Sequence, residues 1–180
     1  MKILHINFSK EGGAAIGVKR FHEALKDRGI RSEIFYFSEY LKKNSINSLN
    51  TLIKWKIQVY LKKIIFKFFT NINSKESHSL NYFSVLKIKD ILSEKKPDIL
   101  HLHWIGNEMI SIKDISKIDI PLVWTFHDMW PFCGGEHFTE NNRFRSSYNK
   151  LSRSKYESGI DINKLLWEKK FKLLSNKKIN

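Results

Sequence analysis

The first forty residues alternate between apolar runs and an amphipathic segment. Residues 2–8 form a short apolar run that ends in a polar turn with two glycines, residues 9–13. From residue 14 to residue 28 the apolar positions recur at helical spacing, and Gly29 follows where helices commonly end. Residues 31–37 are rich in the β-branched and aromatic side chains of strands. This order predicts a βαβ unit, and therefore a parallel sheet with helices on its faces.

A long amphipathic helix is predicted for residues 49–70. Its charged residues are five lysines, with no acidic residue, and Trp55 and Phe66 lie outside its apolar stripe. The stripe consists of Leu52, Ile53, Ile57, Tyr60, Leu61, Ile64, Ile65, Phe68 and Phe69. Two interpretations fit this pattern: a helix that covers the core and exposes its lysines, or a helix that lies on an anionic lipid surface.

Two later runs have the composition of buried strands. Residues 98–104 follow Pro97 and carry His101 and His103 on one face, because side chains alternate along a strand. Residues 121–126 are almost wholly apolar, as in an internal parallel strand that is covered on both sides. The predicted fold is therefore α/β, with a single Rossmann-like parallel sheet flanked by helices. The remaining predicted elements are helices at residues 82–95, 111–117 and 161–174, and loops at residues 71–79 and 136–158.

Composition narrows the class of protein. The 180 residues include 42% hydrophobic side chains and carry a formal net charge of +14, which indicates one folded domain rather than a disordered chain. Cys133 is the single cysteine, so an intrachain disulfide is excluded and a reducing compartment is favoured. The chain has neither a signal-peptide pattern nor an apolar run of about 20 residues, so we expect a cytoplasmic protein. The charge also fits RNA binding, but no RNA-binding motif is present, and no nucleic-acid partner is expected.

Candidate chemistry falls at the carboxyl ends of the predicted strands, where open parallel sheets bind ligands. Gly12 and Gly13 precede a helix whose N-terminus could bind an anion such as a diphosphate, although such a turn is also a common connection. His127 and Asp128 follow the last strand and could bind a sugar hydroxyl or assist proton movement, with Trp130 as a stacking face. The alternative is that Asp128 caps the next turn and that Trp130 belongs to the core.

His101 and His103 could form part of a metal site, because both rings point the same way. A metal site needs a third ligand, and the sequence does not assure one, so no metal is predicted. The preferred interpretation is that one histidine is a hydrogen-bonded structural residue and that the other, nearer the strand end, faces the cleft.

Three strings, taken in order and spacing, resemble family 4 glycosyltransferases, and more narrowly the bacterial enzymes of colanic-acid and other exopolysaccharide synthesis. The strings are Asn7-x4-Gly-Gly-Ala-Ala, Pro97-Asp-Ile-Leu-His-Leu-His-Trp-Ile, and Thr125-Phe-His-Asp-Met-Trp-Pro-Phe-x-Gly-Gly. The resemblance implies the N-terminal half of a GT-B fold and a retaining enzyme that uses a nucleotide-sugar donor and needs no metal or other cofactor. The implied acceptor is lipid-linked or a polysaccharide, at the inner face of the cell membrane.

The resemblance also implies roles for particular residues. Gly12 and Gly13 would form the loop beside the donor phosphates, and His127 would contact the donor sugar as a catalytic residue. Asp128 would be its catalytic neighbour in the cleft. His103 and Trp104 would line the acceptor side. Trp130 is predicted to bind substrate on separate grounds, as the stacking face named above.

Two departures from the family pattern qualify the resemblance. Residues 136–143 lack the cysteine cluster that many relatives have after the Gly-Gly pair. The chain also has no match to the second, donor-binding domain with its Glu-x7-Glu element, so residues 1–180 are expected to form only the acceptor-side domain. A separate polypeptide could supply the other half. The alternative function is that of a non-catalytic, truncated remnant that binds carbohydrate or a partner protein.

Overall fold

The computed structural model describes residues 1–43, 45–71 and 77–179. Its strands are β1 (Lys2–Asn7), β2 (Arg31–Tyr36), β3 (Thr70–Asn71), β4 (Ile99–Leu102), β5 (Leu122–Trp124) and β6 (Ser158–Gly159). Its helices are α1 (Gly13–Asp27), α2 (Phe37–Leu41), α3 (Ile46–Phe68), α4 (Ile88–Lys95), α5 (Ile112–Ser116) and α6 (Ile162–Leu174). Two short 3₁₀ turns, Arg143–Ser146 and Lys150–Ser152, lie between β5 and β6.

The main sheet has four parallel strands in the order β2-β1-β4-β5, which confirms the predicted Rossmann-like α/β fold. The central pair, β1 and β4, is almost entirely buried, as expected for parallel strands that are covered on both faces. Their register places His5 directly beside His101. The strands β3 and β6 form a separate antiparallel ribbon.

The predicted βαβ unit and both later strands are confirmed within one or two residues, except that β4 and β5 are shorter than predicted. The short helix α2 was not predicted. The helix predicted for residues 82–95 begins only at Ile88. Of the predicted connection over residues 71–79, residues 72–76 lie outside the described part of the chain.

The buried carboxylate of Glu108 holds the segment that precedes α4. Its two oxygens accept hydrogen bonds from the backbone N–H groups of Leu80 and Asn81, at 2.9 Å and 2.8 Å. The Asn81 side chain in turn donates to the carbonyl oxygens of Ile105 and Ile110. These bonds hold residues 80–81 away from helical geometry, with a positive φ of 41° at Asn81.

The helix α3 packs on the core with a face that is opposite to most of the predicted apolar stripe. Trp55 and Phe66, which lie outside the stripe, contact the core together with Ile65 from its edge. The Trp55 indole N–H donates to the Asn107 carbonyl oxygen at 2.9 Å. Most of the stripe residues face outward instead, and Ile57 is 51% exposed. The interpretation of α3 as a core-covering helix is therefore right about packing and wrong about the face, because this helix has apolar residues on both sides. In the described part of the chain, no helix is long and apolar enough to span a bilayer.

Candidate functional site

The carboxyl ends of β1, β4 and β5 meet at one edge of the sheet, as the topology predicts. The Asn7 side chain joins two of them, because its Oδ1 accepts a hydrogen bond from the Trp104 backbone N–H at 3.0 Å. The backbone N–H of Phe8 also donates to the Trp104 carbonyl oxygen, at 2.8 Å. The turn after β1, the residues after β4 and the residues after β5 are thereby held at one edge.

The glycine turn forms the open start of α1. Gly12 has a φ of 92°, which favours glycine, and Gly13 is the first residue of the helix. Both residues are exposed, and a Cβ added to either would meet no described heavy atom within 4 Å. No side chain among the described residues caps this helix. The first-turn N–H groups of α1 therefore face open space, the arrangement that binds anions at helix N-termini.

His127 is half-buried and lies against the first turns of α1. Its Cε1 is 3.1 Å from the position of a Cβ added to Gly17, so a side chain at residue 17 would press on the imidazole. Burial lowers the pKa of His127, and the nearby charge of Asp128 opposes this shift in part. At neutral pH the ring is therefore neutral, with one nitrogen that donates and one that accepts.

Behind His127 lies a chain of three more histidines. His127 Nε2 is 3.1 Å from His103 Nδ1, and His103 Nε2 is 3.1 Å from His5 Nδ1. The register of the strands also sets His101 beside His5, and His101 Nε2 lies 2.8 Å from Thr125 Oγ1. Burial lowers the pKa of His5 and of His101 to about 4, and that of His103 to about 2.

This arrangement corrects two expectations for His103, namely that it faces the cleft and that it lines the acceptor side. It is 1% exposed, so it does not face the cleft, and it can act on a ligand only through His127. Trp104, the next residue, is half-buried and remains beside the site.

The Asp128 side chain is 6% exposed and accepts three hydrogen bonds from neighbouring residues. Its Oδ2 accepts hydrogen bonds from Trp104 Nε1 and His137 Nδ1, both at 2.5 Å, and its Oδ1 accepts one from the Trp130 backbone N–H at 3.0 Å. Burial raises the pKa of Asp128, but the hydrogen bond and charge of His137, with the two N–H donors, outweigh it and lower the pKa overall. The hydrogen bond from the Trp130 N–H fits the alternative that Asp128 caps the next turn, and its catalytic role beside His127 stays a prediction.

Trp130 is also buried, at 2% exposed, and its indole N–H donates to the Ser79 carbonyl oxygen at 2.8 Å. Its ring packs in the core, so the predicted stacking face is not presented to a ligand. The interpretation of Trp130 as a core residue is the one that fits.

The loop after Asp128 is held in place by hydrogen bonds from two residues of α6. Lys170, 4% exposed, donates from Nζ to the carbonyl oxygens of Trp130 and Gly134. Burial lowers the pKa of Lys170 to about 7, and the charges of Glu136 and Asp128 oppose this shift. The Asn163 side chain accepts from the Gly135 backbone N–H at 3.0 Å. The helix α6 thus fixes the backbone that carries Asp128 and its partners.

Three residues of this site were missed in the sequence: His5, His137 and Lys170. A signal existed for His5, because it lies on a predicted strand and alternation places it on the face that a neighbouring strand's histidines can share. His137 stands in a polar loop and Lys170 in an ordinary amphipathic helix. Neither position carries a pattern that distinguishes it from a solvated residue.

The comparison with protein families gives one finding. The model of the family described as Glycosyltransferase Family 4 matches residues 11–159, a span that includes every site residue named from the sequence. No curated protein and no solved structure matches the chain.

Proposed function

Because this chain belongs to glycosyltransferase family 4, we propose that residues 1–180 form the acceptor-side, N-terminal half of a retaining GT-B enzyme. The enzyme transfers a sugar from a nucleotide-sugar donor to a lipid-linked or polysaccharide acceptor in the synthesis of a cell-surface polysaccharide such as an exopolysaccharide. A second domain, on this chain's continuation or on another chain, binds most of the nucleotide. The family match supports the class of reaction, and the retaining outcome, the acceptor and the cell-surface role are the proposal.

The observation that carries this proposal is the open N-terminus of α1 beside His127. The first-turn N–H groups and the helix dipole attract a diphosphate, which every nucleoside-diphosphate sugar carries. Gly17, one turn further along α1, allows the His127 imidazole to approach the same helix. A donor with its diphosphate at Gly12 and Gly13 therefore places its sugar within reach of His127.

His127 can serve the transfer as a neutral imidazole. Its hydrogen bond to His103 occupies Nε2, so Nδ1 is the nitrogen with which it would contact a sugar hydroxyl. Asp128 contributes indirectly, because it fixes the Trp104 indole and the loop at residues 129–137 around the histidine. Trp104 then borders the side of the cleft that we assign to the acceptor.

The first prediction is that His127→Ala abolishes sugar transfer. Loss of a group that assists proton movement or hydrogen-bonds the reacting sugar lowers rates by about 10²–10⁴-fold. The measurement is transfer from a panel of nucleotide sugars to a lipid extract, by the chain together with its donor-binding half.

The matched control is His22→Ala. His22 lies on α1, the helix that His127 contacts. Its ring is 2.8 Å from Ser32 Oγ, near the start of β2 and away from the site edge. We expect His22→Ala to retain the rate. Equal rates for His127→Ala and the wild-type protein would contradict the role of His127. Glycan binding by the chain without turnover of any donor would favour the alternative of a non-catalytic binding remnant.

We further propose that α3 holds the enzyme on an anionic membrane, as a peripheral protein of the inner face of the cell membrane. The outward face of α3 is an apolar stripe, with Ile53, Ile57 and Tyr60 each more than half exposed. With 100° per residue, this stripe has exposed lysines along both borders. They are Lys54 on one side and Lys56, Lys63 and Lys67 on the other. Apolar side chains that enter a lipid surface, with flanking cations at the headgroups, are typical of interfacial helices.

The second prediction concerns binding to vesicles that contain phosphatidylglycerol. The double variant Ile53→Ser with Ile57→Ser is expected to bind at least about 10-fold more weakly, because each isoleucine contributes roughly 1.5–3 kcal/mol when it leaves water. The control is Ile16→Ser, an isoleucine of similar exposure on α1, which should bind as the wild-type protein does. Sedimentation with vesicles at low and high salt measures the apolar and the electrostatic contributions to binding. Failure of the wild-type protein to bind at low salt would remove the membrane proposal.

A further inference from the structure

Three buried histidines lie on one face of the central strand pair. β1 and β4 are parallel neighbours, and their register sets His5 beside His101, with His103 two residues along on the same face. The rings are close, with centroids 4.0 Å apart for His101 and His103 and 4.9 Å apart for His5 and His101. Each histidine offers a ring nitrogen within 4.8 Å of the nitrogens of the other two.

We propose that His5, His101 and His103 form a binding site for a divalent transition-metal ion, with zinc as the preferred ion. Three imidazoles and no carboxylate suit zinc, copper, nickel or cobalt rather than magnesium or calcium. The function of the site is structural, because the ion lies behind His127 within the fold. The proposal stands whether or not the chain transfers sugars.

The spacing of the nitrogens fits such an ion. Two imidazole nitrogens bound to zinc at about 2.0–2.1 Å in a tetrahedral arrangement lie roughly 3.3 Å apart. His5 Nδ1 and His103 Nε2 are 3.1 Å apart, so this pair needs little movement to bind one ion. The same two nitrogens are within hydrogen-bond distance of each other, so an ion bound between them would replace that hydrogen bond.

The contacts around the three rings match those that orient metal ligands. A metal-bound histidine usually gives its second nitrogen to a hydrogen-bond partner, which fixes the ring. His103 Nδ1 has such a partner in His127 Nε2, and His101 Nε2 has one in Thr125 Oγ1. The Phe21 ring packs edge-on against the His101 ring, with centroids 5.4 Å apart, and helps to shield the site from water.

The protonation of the three histidines also favours metal binding. Burial lowers the pKa values of all three well below neutrality, so each imidazole is neutral at pH 7. A metal needs the neutral form, because the protonated ring has no free electron pair. Binding at neutral pH would therefore displace no proton.

The test is titration of the chelator-treated full chain with Zn²⁺, and with Co²⁺ as a spectroscopic probe. We expect one equivalent of Zn²⁺ to bind, to raise the thermal unfolding midpoint, and to be removed again by chelator. Co²⁺ should show the intense visible absorption of a tetrahedral site. His5→Asn and His101→Gln are expected to weaken binding at least 100-fold, since each removes one of three ligands. The control His22→Gln, a half-exposed histidine near the cluster, should bind as the wild-type protein does.

Absence of saturable binding by the wild-type chain would overturn the proposal. Undiminished binding by both ligand variants would overturn it too, because the ion would then be held elsewhere. If a variant fails to fold, the nitrogen resonances of the histidine rings in the wild-type chain decide the matter. Zn²⁺ should shift the signals of His5, His101 and His103, and a shift confined to His22 or other half-exposed histidines would contradict the site.

Discussion

Gly134→Ala is expected to destabilise the domain by about 3 kcal/mol or more, because overpacking against backbone cannot be relieved by a side-chain rotation. A Cβ at this position would lie 2.5 Å from the carbonyl oxygen of Asn163 and 2.6 Å from its Cα. The segment cannot move away easily. The Gly134 N–H donates to the Tyr148 hydroxyl at 2.7 Å, and its carbonyl oxygen accepts from Lys170. Urea unfolding followed by circular dichroism measures the loss.

The matched control is Gly13→Ala. Gly13 is the first residue of α1, and an added Cβ there meets no described heavy atom within 4 Å. Alanine is the better helix former, so stability should stay the same or rise by about 0.4–1 kcal/mol. Similar losses for the two variants would mean that the close approach of the Gly134 loop to α6 does not exist in solution.

Arg143→Leu is expected to cost about 3 kcal/mol, the lower end of the range for breaking a buried ion pair. Arg143 is 4% exposed, and its guanidinium donates to Asp161 at 2.5 Å and to Glu157 at 3.3 Å. Leucine leaves both carboxylates without this partner. Arg153 Nε, 3.7 Å from Glu157, can compensate in part, which is why the lower value is expected. Denaturant unfolding of both proteins measures the difference.

The control for this prediction is Arg145→Leu, two residues along the same 3₁₀ turn. Arg145 is exposed and lies over the Phe144 ring, so its loss should change stability by no more than about 0.5 kcal/mol. A second check is Arg143→Leu combined with Asp161→Asn, which removes the charge of one carboxylate that has lost its partner. If this double variant is no more stable than Arg143→Leu alone, the cost does not come from the unpaired carboxylate.

The succession of the main-sheet strands along the chain was predictable because it depends on local patterns. Short apolar runs that end at glycines, prolines or histidines identify β1, β4 and β5, and the helical spacing between β1 and β2 identifies α1. The position of Gly12 and His127 at one edge followed from the rule that parallel strands share their carboxyl ends. The family match then agreed with the resemblance drawn from the same motifs.

The features that were not predicted depend on contacts between residues that are distant in the sequence. Such contacts leave no signal in the spacing of apolar residues. The Glu108 carboxylate holds the backbone of Leu80 and Asn81 from 28 and 27 residues away. Both faces of α3 are apolar, so its spacing predicts a helix but not the side that packs. The partner of Asp128 is His137, nine residues along a polar loop, and nothing in that loop distinguishes a buried imidazole from a solvated one.

The contacts of Lys170 and Asn163 have a consequence for where this domain ends as a cooperative folding unit. The family match stops at residue 159, before α6 begins. Yet α6 supplies the ammonium group that ties Trp130 to Gly134 and the amide that holds Gly135. A protein trimmed to the matched span would therefore keep every site residue named from the sequence, but it would lose β1 and the helix on which the loop rests. Boundaries taken from similarity alone would cut through the unit that folds.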